Sequence, residues 1–279
     1  MRIYVQTDIE GVAGFCFYEN RRIESLENHA HRQRMYRLLT NEVNAAVKAA
    51  FDSGADEVLV NDNHGSGYNI IFEDLDPRCR IIHGRNSSGP QWLNMLDKSI
   101  DAMVLVGMHA MGGTENSITP HSLWKVNGGQ FYMSEASMAA AIAGDFNVPT
   151  VFISGDDKIS AEVADKIPGI QSAVVKEALG AYMACSLIPS RACQLIYEGV
   201  KRGIALRKKI APYKVAGPID LALLDSPNHC LPFSVLCEVK NSPSILQAFN
   251  DCEDQTPWYK RNTKLPDGFI FPPTPENRQ

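Results

Sequence analysis

Six side chains in the first half of the chain are of the types that bind zinc. Three are histidines and three are carboxylates: Asp8, Glu10, His64, His109, His121 and Glu135. Imidazole and carboxylate are the ligands that zinc takes where no cysteine is present, and a catalytic zinc keeps one coordination position open for water or substrate. The set is large enough for a pair of zinc ions, and the chemistry that it indicates is hydrolysis.

Short apolar segments alternate with helical patterns around these residues. Strands are predicted at residues 2–7, 57–62, 79–84, 102–107 and 150–155, each a short apolar run followed by a polar or glycine position. Apolar side chains at three- and four-residue intervals predict a helix over 29–53, and further helices are predicted over 134–146, 158–167 and 190–210. Lysine and arginine in the last turn of the 190–210 helix would suit its dipole. The order strand, helix, strand predicts a parallel sheet.

The candidate ligands follow three different predicted strands. Asp8 and Glu10 come directly after the first strand, His64 after the second, and His109 after the strand at 102–107. Ligands of parallel sheets gather outside the carboxyl ends of the strands. We therefore expect these side chains to meet at one edge of the sheet.

Each residue taken alone also has an ordinary structural explanation. Asp8 and Glu10 face the same way in an extended chain, but they suit a solvated turn equally well. His64 lies in Asn-Asp-Asn-His-Gly, a sequence that also forms polar turns. Glu135 suits the first turn of a helix, where the dipole favours a carboxylate, and His121 alone favours neither explanation. The joint arrangement of all six residues carries the prediction.

Composition limits the classes of partner. The 279 residues include 27 Lys plus Arg against 32 Asp plus Glu, a formal net charge of -5, and no basic run marks a nucleic-acid surface. The first residues, MRIYVQTDIEG, lack the long apolar core of a signal peptide, and no segment approaches the roughly 18 apolar residues of a membrane helix. A soluble, cytoplasmic protein without nucleic-acid or membrane partners is expected.

The cysteines indicate neither a disulfide framework nor a thiolate metal site. There are seven, an odd number, and no two are spaced as C-x-x-C. Any metal should therefore be held by nitrogen and oxygen.

Several motifs, in order from residue 1 to about Leu223, resemble a known family. They are TDIEGVAG, VNDNHG, GMHA, the His-Ser of PHS, SEASMAAAIAG and NVPTVFISGDD. With them the chain resembles the zinc D-aminopeptidases of the DppA type, peptidase family M55. The resemblance implies two zinc ions per subunit, held by Asp8, Glu10, His64, His109 and Glu135. It also implies that His121 is the catalytic residue.

The resemblance implies a fold and an assembly as well. The fold would be α/β, a Rossmann-like parallel or mixed sheet flanked by helices, with a smaller α+β C-terminal part. Residues 1–185 would form the metal-binding catalytic domain, and 186–223 a helix and strand of the smaller domain. The family further implies a homo-oligomer, a ring-shaped decamer that encloses its active sites.

The last part of the chain differs from the family pattern. Residues 224–279 hold eight of the sixteen prolines. Proline removes a backbone donor and restricts the residue before it. A divergent, partly irregular tail without long regular elements is therefore expected there.

The function expected from these observations is that of a dinuclear zinc aminopeptidase, which removes the N-terminal residue of short peptides, D-amino-acid peptides in particular. Two alternatives come from other classes. A metal-dependent phosphoesterase would use a similar ligand set, with Asp62 or Asn63 as further oxygen donors. A non-catalytic metal-binding scaffold would need the five ligands but not His121.

Overall fold

The computed structural model describes residues 1–18, 25–84, 92–225 and 233–256. Their strands are β1 (Arg2–Thr7), β2 (Glu57–Asp62), β3 (Arg80–Ile82), β4 (Ala102–Met108), β5 (Leu123–Val126), β6 (Phe131–Met133), β7 (Thr150–Asp156), β8 (Gln171–Gly180), β9 (Met183–Ser186), β10 (Ile219–Asp225) and β11 (Ser234–Ser242). Their α-helices are α1 (Leu26–Asp52), α2 (Glu135–Asp145), α3 (Asp157–Lys166), α4 (Pro189–Leu206) and α5 (Ile245–Glu253).

The larger sheet has seven strands in the order β3-β2-β1-β4-β7-β8-β9. All neighbours are parallel except β9, which runs antiparallel to β8 at the edge. Every residue of β4 and β7 is buried, as expected for central parallel strands covered by helices. Helices α1 and α4 pack against each other, as do α2 and α3. The predicted α/β fold is confirmed.

A smaller, antiparallel sheet has the order β11-β10-β5-β6. Its strands β5 and β6 lie between β4 and β7 in the sequence, whereas β10 and β11 come near the end of the chain. The smaller sheet therefore takes strands from both sides of residue 185, and the division of the chain into domains there stays a prediction.

Helix α1 begins earlier than the periodicity predicts, because Ser25 caps it. The Ser25 hydroxyl accepts a hydrogen bond from the Asn28 N–H at 3.1 Å. One face of the helix buries Met35, Leu39 and Val43. Each such side chain contributes about 1.5–3 kcal/mol when it is fully buried. This packing fixes the helix that joins β1 to β2.

Helix α4 ends at Leu206, four residues before the predicted end. The Lys and Arg residues at 207–209 therefore follow the helix, and the expectation that they occupy its last turn is wrong. The Arg207 guanidinium still donates to the Ile204 carbonyl at 3.0 Å, so one of these cations does bind the helix end.

The region after Leu224 contains regular elements that proline content did not predict. Strand β11 and helix α5 both lie there, and Pro243 falls between them. It is the one proline among residues 233–256; the other seven lie outside the described residues, so the composition of the whole tail misrepresents this stretch. Cys237 of β11 and Cys252 of α5 form a disulfide, which their separation of 15 residues does not suggest.

Candidate metal centre

Three neighbouring parallel strands bring four of the candidate side chains together. β1 lies between β2 and β4, and the carboxyl ends of the three strands are adjacent. Asp8 and Glu10 follow β1, His64 follows β2, and His109 follows β4 directly. The edge of the sheet predicted from the strand pattern is therefore where the structure places these residues.

The other two candidate residues arrive from the β5–β6 region. His121 precedes β5 and is bridged to Met111, in the loop after β4. Glu135 is the first residue of α2, whose N-cap Ser134 accepts from the Ser137 N–H. The Ser122 hydroxyl donates to Glu135 Oε1 at 2.7 Å and fixes the carboxylate.

The six side chains form one cluster of nitrogen and oxygen atoms. His64 Nε2 lies 3.2 Å from Glu10 Oε1, and His109 Nε2 lies 3.4 Å from Asp8 Oδ2 and 3.6 Å from Glu135 Oε1. His121 Nε2 lies 3.7 Å from Glu10 Oε1 and 3.8 Å from Glu135 Oε1, and its ring stacks on that of His109 at 3.9 Å. Each of the predicted site residues thus lies within 3.8 Å of at least one other.

Two overlapping groups within the cluster have the spacing of metal ligands. Asp8, Glu10 and His109 form one group, and His109, His121 and Glu135 form the other. The ligand atoms of each group lie within 4.8 Å of one another. The two groups overlap at His109, so the candidate ligands form one continuous cluster.

Hydrogen bonds orient two of the imidazole rings. The Nδ1 of His109 lies 2.8 Å from the Ala110 carbonyl, and the Nδ1 of His121 lies 2.8 Å from the Thr119 carbonyl. A carbonyl only accepts, so each Nδ1 carries a hydrogen, and each Nε2, which faces the carboxylates, is the nitrogen available to a metal. Metal-binding histidines are oriented in this way.

The ring of His64 is oriented by an amide side chain. Asn69 Nδ2 donates to Asp62 Oδ1 at 2.8 Å and to the His64 carbonyl at 2.6 Å, which leaves Asn69 Oδ1 to accept from His64 Nδ1 at 3.1 Å. The Asp62 carboxylate also accepts the backbone N–H groups of Asn69 and Ile70. Asp62 thereby supports the loop that carries His64.

The loop that carries Asp8 and Glu10 packs directly against the end of β4. The Gly11 N–H donates to the Gly107 carbonyl at 2.8 Å. A Cβ on Gly107 would lie 2.2 Å from the Asp8 carbonyl oxygen, and its φ of 75° also favours glycine. Glycine at this position lets the two backbones touch.

Buried atoms without partners show that the cluster fits a cation. Among the described residues, Asp8 Oδ2, Glu10 Oε1 and His109 Nε2 are buried and have no hydrogen-bond partner. A buried polar atom left in this state costs about 1–3 kcal/mol. Carboxylate oxygens and imidazole nitrogens that converge without partners are a ligand set for zinc.

The charges within the cluster support the same conclusion. Burial first, and then the negative charge of Glu10, raise the pKa of the Asp8 carboxyl well above its ordinary value. Burial and the neighbouring His109 lower the pKa of His121 to about 4, so its ring is neutral at pH 7. Two adjacent buried carboxylates repel each other, and a bound cation removes that repulsion.

A cavity of about 250 Å³ adjoins the cluster. It is lined by Ser122 and Glu135 and by the aromatic side chains of Trp92, Trp124 and Phe249. The Phe249 ring lies 5.5 Å from that of Trp92 and 6.0 Å from that of Trp124, between ring centroids. The cavity offers a mixed polar and aromatic space next to the candidate ligands.

Asp156 and Asp157, where β7 ends and α3 begins, have structural partners. Asp156 caps α3 by accepting the N–H groups of Lys158 and Ile159. Asp157 accepts from the Ala178 N–H at 2.9 Å and from the Lys158 ammonium at 2.7 Å. Capping is therefore what the structure shows for Asp156.

A profile of the M55 peptidases, described as D-aminopeptidase, matches residues 1–241. The chain belongs to this family. It is accordingly a peptide-bond hydrolase of the metallo-aminopeptidase class. The match continues past Leu223, so the expectation that the resemblance ends there is wrong, and family membership extends into β11.

Two known proteins are similar to this chain. A D-aminopeptidase of Bacillus subtilis (strain 168) is 28% identical over 217 residues, 76% of this chain and 77% of that protein. The solved structure of the "Zn-dependent D-aminopeptidase DppA from Bacillus subtilis, a self-compartmentalizing protease" superposes with a TM-score of 0.78 at 24% identity, covering 95% of this chain and 100% of the other. The second similarity shows the shared fold.

The sequence did not identify several residues that support the site. Ser122 fixes Glu135, Asn69 orients His64, and Trp124 and Phe249 line the cavity. Each is a single polar or aromatic residue in a segment without a distinctive pattern.

Within the described part of the chain, no helix has the length and apolar character needed to cross a membrane.

Proposed function

We propose that the protein is a dinuclear zinc aminopeptidase that removes the N-terminal residue from short peptides of D-amino acids. The observation that carries the proposal is the convergence of the candidate ligands, in which Asp8 Oδ2, Glu10 Oε1 and His109 Nε2 are buried without a hydrogen-bond partner among the described residues. The solved relative is titled Zn-dependent, which supports the choice of zinc.

Asp8, Glu10, His64, His109 and Glu135 would hold the two zinc ions. Zinc, when bound, supplies Lewis-acid activation of a water and of the scissile carbonyl. The protein's own part is to hold the ligands rigidly: Ser122 fixes the Glu135 carboxylate, and backbone carbonyls or Asn69 orient the rings.

His121 is the proposed catalytic residue. Its Nδ1 donates to the Thr119 carbonyl, so Nε2, which faces Glu10 and Glu135, is the nitrogen that can exchange a proton. In this role Nε2 takes up a proton at the water and delivers it to the leaving amine. Direct nucleophilic attack by the same nitrogen is the alternative role, and coordination of metal by it is a third.

The cavity beside Glu135 is the proposed substrate site. A volume of about 250 Å³ accommodates a few amino-acid side chains but not a folded protein, which suits short peptides. Trp92, Trp124 and Phe249 give this cavity apolar walls that can pack against substrate side chains.

The test compares paired peptides on protein of known metal content. Zinc is measured by elemental analysis after gentle purification, and release of alanine is followed from D-alanyl and L-alanyl dipeptides. We expect about two zinc ions per chain and faster hydrolysis of the D-alanyl peptide. Absence of stoichiometric metal, or hydrolysis of neither peptide by zinc-loaded protein, would contradict the proposal.

The same preparation tests the phosphoesterase alternative with p-nitrophenyl phosphate. Asp62, one of the oxygen donors that this alternative would use, has its carboxylate engaged by Asn69 and Ile70. No hydrolysis of the phosphate ester is expected. Hydrolysis of either peptide would rule out the alternative of a non-catalytic metal-binding scaffold.

A homo-oligomer, in the form of a ring-shaped decamer, is part of the proposal. The solved relative is titled self-compartmentalizing. In the β8–β9 region and the loop that follows, large apolar side chains are exposed: Val174, Leu179, Tyr182, Met183 and Ile188. Edge strand β9 also offers an unpaired side within the described sheet. Light scattering coupled to gel filtration measures the assembly, and a monomer would contradict it.

The cytoplasmic location stays a prediction. The Cys237–Cys252 disulfide argues against it, because such bonds persist mainly in oxidising compartments. Mass spectrometry of protein alkylated in freshly lysed cells would report whether these two thiols are paired where the protein resides.

A further inference from the structure

A buried lysine holds the loop that carries two of the candidate ligands. Lys176 lies on β8 and is 1% exposed. Its ammonium donates to the backbone carbonyls of Glu10, Val12 and Phe15, the last two at 3.1 and 2.8 Å. An ammonium has three donors and no acceptor, so the three carbonyls satisfy it completely.

Helix α1 also holds this loop. Glu42 is 2% exposed, and its Oε1 accepts a hydrogen bond from the Ala13 N–H at 2.8 Å. A buried lysine and a buried glutamate therefore bind three carbonyls and one N–H of residues 10–15. Because Asp8 and Glu10 lie at the start of this loop, the position of the loop determines theirs.

The placement of Lys176 depends on a β-bulge. Gly155 of β7 pairs with Val174 of β8, but the next residue, Asp156, pairs with Lys176, so Val175 is the extra residue. Val175 and Lys176 are consequently both buried, whereas regular alternation would turn the lysine to the other face. Bulges often re-aim a side chain beside an active site.

A lysine is a costly residue to bury for packing alone. Removing an ammonium from water costs several kcal/mol even after relaxation, and an apolar side chain would fill the same space without that cost. The interaction that the lysine makes and an apolar residue cannot is the triple contact with the carbonyls of the ligand loop.

We propose that Lys176 is a positioning residue for the metal centre: by fixing the carbonyls of Glu10, Val12 and Phe15, it sets the carboxylates of Asp8 and Glu10 and thereby the affinity for metal. The inference rests on the proposed function, since it assumes that these carboxylates bind zinc. Groups that orient metal ligands typically change metal affinity 10- to 100-fold when they are altered.

The experiment measures zinc dissociation constants by competition with a chromophoric chelator. Lys176→Met, which keeps length but loses the donors, should bind zinc about 10- to 100-fold more weakly than wild type. The matched control is Lys48→Met, because Lys48 is a surface lysine of α1, paired with Asp52, whose loss should leave zinc affinity unchanged. Melting temperatures of the zinc-free proteins, taken in parallel, report any effect on the fold itself.

Three further variants cover the case in which Lys176→Met does not fold. Lys176→Arg keeps the charge, but its planar guanidinium cannot direct three donors to three carbonyls from one point, so weaker zinc binding is expected. Glu42→Gln keeps an oxygen that can accept from Ala13 and should bind zinc normally, whereas Glu42→Ala should bind it more weakly.

The outcomes separate the inference from the function on which it rests. If wild type binds two zinc ions and folded Lys176 variants bind them equally well, with only the zinc-free melting temperature lowered, Lys176 is structural and the inference is wrong. If wild type binds no zinc, the proposed function is wrong and the inference falls with it.

Discussion

A methyl group added at Gly11 should disable the proposed metal centre, although Gly11 is not one of its proposed ligands. In Gly11→Ala the new Cβ would lie 2.0 Å from the carbonyl oxygen of Met108. Real Cβ atoms essentially never approach other atoms closer than 3.0 Å, so the two backbones must separate by about 1 Å. The question is which of them moves.

Met108 cannot yield, because its carbonyl is enclosed on the other side as well. A Cβ on Gly155 of β7 would lie 2.2 Å from the same oxygen. Met108 is also paired with Gly155 in the centre of the sheet. The displacement therefore falls on the loop, and Glu10 is the residue next to the substitution.

A shift of this size is large on the scale of metal coordination. Metal–ligand distances in proteins hold to within about 0.2 Å, and misplacement of a catalytic group by 1 Å can cost about 10²-fold in rate. We expect Gly11→Ala to lose zinc at concentrations that saturate wild type and to lose at least about 10²-fold in hydrolysis of a D-alanyl peptide. Elemental analysis at fixed free zinc and steady-state kinetics measure the two effects.

The matched control is Gly180→Ala, at the end of β8. A Cβ there meets nothing within 4 Å, so zinc content and turnover should match wild type. Circular dichroism of both variants checks that the sheet is intact. Should Gly11→Ala bind zinc with wild-type affinity, the conclusion that the loop against β4 sets the ligand geometry would be refuted.

Four further substitutions test the cluster and the fold. His109→Ala should lose metal and activity together, because His109 belongs to both ligand groups; full activity in this variant would refute the ligand assignment. His121→Ala should keep both zinc ions and lose turnover by about 10² to 10⁴ with little change in KM, and loss of zinc would instead make His121 a ligand. Ser122→Ala should weaken zinc binding, since a hydrogen bond to a charged group contributes about 1.5–3 kcal/mol and here fixes Glu135; unchanged affinity in chelator competition would contradict this. Cys252→Ser should lower the free energy of unfolding by about 3 kcal/mol, the value for a closed loop of about 15 residues, and an unchanged denaturant midpoint would argue against the disulfide.

The convergence of Asp8, His64 and His109 follows from the pattern of parallel strands, which the sequence reveals well. Each residue comes directly after an apolar run, and the runs are long enough to be recognised as parallel strands. Because β2, β1 and β4 are neighbours in the sheet, residues that follow them must meet. This part of the site needs only strand periodicity and the rule that parallel strands share a carboxyl edge.

His121 and Glu135 reach the cluster by a route that periodicity does not reveal. They flank β5 and β6, strands of four and three residues, which are too short to show alternation. Strand β5 pairs with β10, almost a hundred residues later in the chain, and β6 pairs in turn with β5. Short strands that depend on distant partners are determined by tertiary contacts, so motif resemblance was needed to connect these two residues with the others.

Lys176 illustrates a stronger limit on what a sequence shows. In QSAVVKEALG, the lysine would be assigned to the solvent face, because Ala173 and Val175 set the buried phase of the strand. One extra residue in the pairing with β7 reverses that phase and turns the ammonium inward, toward three carbonyls of a loop more than 160 residues away in sequence. The residue types do not mark the bulge, because Val174 and Val175 are both apolar and either could face the core. The residue that holds the ligand loop is therefore visible only once the register of the two strands is known.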